Sequence, residues 1–140
     1  MAGYFGRLAE QGVSDVPILY GGFRYEGGFG AAVELMRRKD RPDAIFCAND
    51  LMAIGAMEAI RSEFGLNAPD DVMIAGFDDI PAAGWPSMQL TTVRQDAPRM
   101  VEEALGVLER MIKGQPQAGG SLRLVAANVV ERRSTDRKSS

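Results

Sequence analysis

Histidine is absent from the 140 residues, and cysteine occurs once, as Cys47. Without imidazole there is no Ser-His-Asp or Cys-His catalysis and no imidazole-ligated metal. A single thiol excludes an intrachain disulfide and a Cys-cluster zinc site. No apolar run approaches the roughly 18–20 residues needed to cross a bilayer, so no membrane partner is expected. Residues 1–15 carry Arg7, Glu10 and Asp15 and lack the apolar centre of a secretory leader. An excess of positive charge is missing too. The formal net charge is −3, which argues against a nucleic-acid surface spread over this chain. These absences describe a cytoplasmic domain with reduced thiols. Its 46% hydrophobic content is enough to build one ordinary core.

What is present has a regular spacing. Three continuous apolar runs begin at Val16, Ala44 and Val72, a constant 28 residues apart. They are Val16–Tyr20, Ala44–Ala48 and Val72–Phe77. Continuous rather than alternating runs suit strands covered on both faces, and this spacing is about one strand plus a crossover helix. The segments between read as helices. Phe29, Ala32, Val33 and Met36 recur at helical spacing before Arg37-Arg38-Lys39, whose charge suits a helix C-terminus. Leu51, Ile54, Met57, Ile60 and Phe64 form a second stripe, which starts after Asn49-Asp50 and stops at Gly65. A short helix over residues 3–11 ends at Gly12.

The second half predicts a loop or one-turn helix at 80–89 and a strand at Leu90–Val93. A helix follows from Pro98 to about Gly114, with Met100, Val101, Ala104, Leu105, Leu108, Met111 and Ile112 on its apolar face. Gln115–Ser121 is a polar loop, Leu122–Val130 a strand pair or long strand, and 136–140 a polar tail. The fold class is therefore α/β, a parallel sheet with helices on both faces.

Ligands of such sheets bind beyond the carboxyl ends of the strands. Gly21-Gly22-Phe23-Arg24 follows the first run, Asn49-Asp50 the second and Asp78-Asp79 the third. Together these bring an aromatic ring, an amide and carboxylates to one edge, chemistry suited to a small polyhydroxylated ligand. Each has a plainer alternative. A helix cap would account for one of Asn49 and Asp50, Asp50 more readily than Asn49; Asp78-Asp79 could be turn acids, and Phe23 a ring folded onto the core. Trp85 suits either an interface rim or a core plug. Gly28-Phe29-Gly30 is not a nucleotide loop, because the rest of that pattern is missing, so no cofactor is expected. Asp50, Asp78 and Asp79 could also hold Mg²⁺ for phosphoryl chemistry. Against this, the lysines are Lys39, Lys113 and Lys138, and none follows a strand. The chain is expected not to be an enzyme and to hold no metal.

Four linked segments carry a family resemblance. They are Arg41–Met57 (RPDAIFCANDLMAIGAM), Ala68–Ile80 (APDDVMIAGFDDI), Leu90–Gln95 (LTTVRQ) and Glu131–Thr135 (ERRST). In order and spacing the chain resembles the LacI/GalR family of bacterial transcription regulators. The resemblance implies one lobe of a periplasmic-binding-protein-like effector domain. Residues 1–90 and 121–135 would form the C-terminal lobe. Residues 91–113 would be a crossover strand and helix of the other lobe, with 136–140 a tail. Phe23, Asn49 with Asp50 beside it, and Asp78 match effector-contacting positions. Ile54, Trp85 and Pro86 match a dimer interface. The implied partners are a small-molecule effector, most simply a sugar, and a second copy of the chain. Operator DNA would be bound only by an N-terminal helix-turn-helix that this sequence does not contain. A sugar-binding protein of a transport system shares the fold and is the alternative; the Glu131–Thr135 ending favours the repressor.

Overall fold

The strongest local signals in the chain frame one helix. Asn49 caps it, its Oδ1 accepting from the Met52 N–H at 2.9 Å, and Gly65 closes it at φ 66°, a left-handed conformation that favours glycine. This helix, Asp50–Phe64, is the third of four among the described residues. The computed structural model describes residues 2–115 and 122–137. In chain order its elements are α1 (Ala2–Glu10), α2 (Tyr25–Arg37), β1 (Ala44–Phe46), α3 (Asp50–Phe64), β2 (Met73–Ala75), β3 (Thr92–Gln95), α4 (Ala97–Ile112) and β4 (Ala127–Val130). Short 3₁₀ turns lie at Pro81–Gly84 and Arg133–Thr135.

Strands β1 and β2 pair in parallel, with Ile45 opposite Ile74. A parallel bridge from Ala75 to Thr91 brings the start of the next strand alongside β2. Beyond that bridge the chain changes partner. β3 pairs antiparallel with β4, with Thr92 opposite Val130 and Gln95 opposite Ala127. The molecule is thus an α/β body, residues 25–91, with a ribbon that continues out of its sheet.

The core of the body is built by α2, α3, β2 and the approach to β3. Met36, Ile60, Val72, Ile74 and Leu90 are fully buried. Helices α2 and α3 approach too closely for side chains at their crossing. A Cβ on Gly28 would lie 2.2 Å from the Met52 carbonyl oxygen, and one on Gly55 would lie 2.2 Å from that of Tyr25. Gly28 is therefore a packing residue, whereas a Cβ on Gly30 would meet nothing within 4 Å.

Three expectations are corrected. Val16–Tyr20 forms no strand: an apolar cleft of about 490 Å³ separates residues 16–19 from Ala44–Ala48. Without a neighbour within hydrogen-bonding distance an apolar run cannot enter a ladder, and Tyr20 is left 95% exposed. The strand expected over Leu122–Val130 is confined to Ala127–Val130, the stretch that faces β3. The strand expected at Leu90–Val93 lies at Thr92–Gln95, because Leu90 and Thr91 serve the core and the bridge. The loop expected at 115–121 and the tail at 136–140 fall largely outside the described residues.

Helix α4 forms as its sequence predicts, capped by Asp96, whose carboxylate accepts from the Arg99 N–H at 3.0 Å. None of its residues is buried. Leu105, Leu108 and Met111 stand more than half exposed.

Candidate ligand-binding site

The segments that leave β1 and β2 are laid side by side by the backbone. Cys47 N–H donates to the Ala75 carbonyl at 2.8 Å, and Asp50 N–H donates to that of Phe77 at 2.9 Å. On one side of this edge stand Phe23 and Asn49. Phe23 has φ 58° and is 66% exposed, so it is a ring displayed to solvent rather than folded onto the core. Asn49 holds it there, its Nδ2 donating to the Phe23 carbonyl at 3.1 Å. The same amide caps α3 through Oδ1. Of its hydrogen-bonding capacity, one N–H is left for a ligand.

On the other side stands Asp78, exposed, in a backbone of φ 112°. Its N–H donates to the Val93 carbonyl at 2.9 Å. Its Oδ1 accepts from Gln95 Nε2 at 2.8 Å. Gln95, the last residue of β3, therefore belongs beside the expected residues. The legible signal was its place at the carboxyl end of a predicted strand, the same rule that selected the others. With Oδ1 taken by Gln95, the free Oδ2 of Asp78 offers an acceptor to a hydroxyl or N–H group.

Asp50 does not belong to this set. It is fully buried, its Oδ1 accepting from Thr92 Oγ1 at 2.6 Å and its Oδ2 from the Ile80 N–H at 2.9 Å. A Cβ on Gly76 would meet Asp50 Oδ1 at 2.2 Å, so glycine there makes room for the carboxylate. The expectation that Asp50 contacts a ligand is corrected. As the first residue of α3 it turns inward, and it ties that helix to the loop after β2 and to β3. Asn49, not Asp50, provides the cap.

Asp79 is also committed internally. It sits at φ 56° with its side chain 8% exposed, between Arg94 Nε at 2.5 Å and Arg132 Nη2 at 2.7 Å. Burial alone would raise its pKa. The hydrogen bonds and positive charges of Arg132 and Arg94 outweigh that and hold the carboxyl below the usual range. Asp50, Asp78 and Asp79 each face different partners, and among the described residues no cluster of three metal-ligating side chains occurs. Cys47 is buried, and that burial, reinforced by the Asp50 charge, pushes its thiol up to about 12.

Of the residues expected at a dimer interface, Trp85 and Pro86 are exposed and Ile54 is half-buried against the core. Trp85 is therefore not a core plug; it lies 57% exposed after the 3₁₀ turn.

Known proteins share this fold. The profile of the periplasmic binding protein-like domain family matches residues 1–135. The chain is 33% identical over 135 residues to the HTH-type transcriptional repressor PurR of Erwinia tasmaniensis, covering 95% of this chain and 39% of that protein. The lac repressor dimer bound to operator and the anti-inducer ONPF superposes with TM-score 0.85 at 28% identity, over 96% of this chain and 40% of that one. The Escherichia coli transcriptional repressor ascG does so with TM-score 0.79 at 31% identity, over 95% and 48% respectively. The chain thus spans about two-fifths of the length of the curated relatives it matches. With an α/β body, a ribbon leaving its sheet and this match along nearly its whole length, the chain belongs to the periplasmic binding protein-like domain family, in its LacI/GalR-type effector-binding form.

Proposed function

We propose that this chain is the effector-sensing part of a LacI-type transcriptional regulator, and that it supplies one wall of a two-lobe cleft for a sugar or similar small metabolite. The observation that carries the reading is that the Asp50–Phe77 backbone bond lays two hydrogen-bonded pairs on neighbouring segments, Phe23 with Asn49 and Asp78 with Gln95. An exposed ring, a spare amide N–H and a free carboxylate oxygen together match a ligand with one apolar face and a rim of hydroxyls or N–H groups. Effector binding would close the lobes and change the geometry of a dimer, and hence its hold on operator DNA through a helix-turn-helix outside this sequence. The dimer contact would use Ile54, Trp85 and Pro86. Relatives named as repressors support this reading over a transport protein, and cytoplasmic residence follows from it.

The test is a thermal-shift screen of sugars and nucleobases against the protein carrying both lobes, followed by titration of any hit. Asp78→Ala should weaken the response strongly while changing stability by no more than about 0.5–1 kcal/mol, as at other exposed positions. An unchanged affinity in that variant would remove Asp78 from the site. Residues 1–140 alone should bind the same hit weakly or not at all, since half of the convergent polar groups are then missing.

A further inference from the structure

Asp79 stands beside the ligand residues without being one of them, and it joins three separate segments. It lies in the loop after β2. Its Oδ2 accepts from Arg94 Nε of β3 at 2.5 Å, and its Oδ1 accepts from Arg132 Nη2, just after β4, at 2.7 Å. Arg132 is anchored in turn, its Nη1 donating to the Leu90 carbonyl at 2.8 Å. The contacts run in step with those of the site: Asp78 meets Gln95, and Asp79 meets Arg94.

Successive side chains of a strand point to opposite faces. Holding Arg94 therefore adds to the β4 ladder in fixing the rotation of β3 about its own axis, and with it the direction of Gln95. The loop itself needs such a hold. Asp78 and Asp79 both have left-handed backbones, at φ 112° and 56°, and strain of this kind persists only where surrounding contacts enforce it. A nearly buried carboxylate between two guanidinium groups is a directional, charge-assisted clamp. The Asp78–Gln95 pair is exposed, and apart from the backbone bond of Asp78 N–H to Val93 it has no charged support of its own.

We propose that Asp79 is the positioning residue of the ligand site: by clamping Arg94 and Arg132 it sets the β3–β4 ribbon against the loop, so that Gln95 meets Asp78 Oδ1 and leaves Oδ2 for the ligand. The proposal rests on the reading of Asp78 as a ligand residue, but its test needs no ligand. Failure of the test would thus be distinct from failure of that reading.

The experiment is NMR on the ¹⁵N-labelled 140-residue chain and its Asp79→Asn variant. The readouts are the Gln95 side-chain amide resonances and the hydrogen exchange of the Asp78 N–H, which is bonded to Val93. Asp79→Asn should move the Gln95 amide signals towards those of a free amide and speed Asp78 exchange at least tenfold. Exchange at Ile60 in α3 should stay the same. Arg94→Gln, a change at an exposed side chain that leaves the carboxylate in place, should reproduce the Gln95 shift and decides the matter if Asp79→Asn does not fold. Asp79→Glu, which keeps the charge, should restore part of the wild-type signature. Unchanged Gln95 signals in the folded variants, or acceleration at Asp78 and Ile60 alike, would overturn the proposal and leave Asp79 a purely structural ion pair.

Discussion

Helices α3 and α4 differ by one residue in length, 15 against 16, and both carry apolar side chains at helical spacing. Seven residues of α3 are buried and none of α4. Propensity does not explain this, since both are capped and both form. What differs is the neighbour. Small residues such as Ala53, Gly55 and Ala56 let α3 lie against α2 and the sheet at close range. The larger Leu and Met side chains of α4 stand off the body beside a two-stranded ribbon. An amphipathic pattern says that a face wants cover, and the cover comes from other parts of the fold. The resemblance implies that residues 91–113 belong to a second lobe, and we propose that such a lobe covers the face of α4 that is left uncovered here.

This contrast can be broken at its strongest point first. Ile60→Ala should cost about 2–5 kcal/mol in denaturant unfolding, because a fully buried side chain is lost and the tight helix crossing cannot collapse around it. A cost under about 1 kcal/mol would mean that the body is as loosely packed as the arm. Asp50→Ala comes next. It orphans the Thr92 hydroxyl and the Ile80 N–H, at about 1–3 kcal/mol for each donor left unsatisfied. Urea titration that finds this variant as stable as wild type would show that Asp50 is not the tie between body and ribbon.

A smaller effect follows from Asp79, at the root of the arm. Its pKa is depressed in the folded chain, so its contribution is fully present above the unfolded carboxyl value of about 4 and is lost as pH falls through the lower folded value. Unfolding followed from pH 6 down to pH 2 should show a steeper acid loss for wild type than for Asp79→Asn. Parallel curves would deny the ion pairs any part in acid stability.

The smallest stability change belongs to α4 itself. Leu108→Ala, at a side chain 53% exposed, should shift stability by no more than about 0.5 kcal/mol in the monomer. Self-association would sharpen the same point. If the exposed face recruits a second copy, light scattering at micromolar concentration reports a dimer or larger species, and Leu105→Glu with Leu108→Glu dissociates it. A monomer in both cases would show that this face stays uncovered.

The sequence by itself determined the local elements of this protein and where its chemistry would gather. Caps and stops such as Asn49 and Gly65 act within a few residues, so α3 was legible from its ends. The rule that ligands gather at strand ends selected Phe23, Asn49 and Asp78, the residues of the proposed site, because chain order alone puts them after apolar runs. Only the tertiary structure decided the rest. Val16–Tyr20 has strand composition, but pairing requires a neighbour that composition cannot supply. Asp50 and Asp79 look like Asp78 in the sequence. Burial and distant partners, Thr92, Arg94 and Arg132, turn the first into an anchor and the second into a clamp. These contacts join residues 15 to 53 positions apart, and no local pattern specifies which carboxylate of a loop will face inward. That choice is made when the ribbon crosses the end of the sheet. There a buried charge needs donors from other strands, and an exposed one keeps an oxygen free for a ligand.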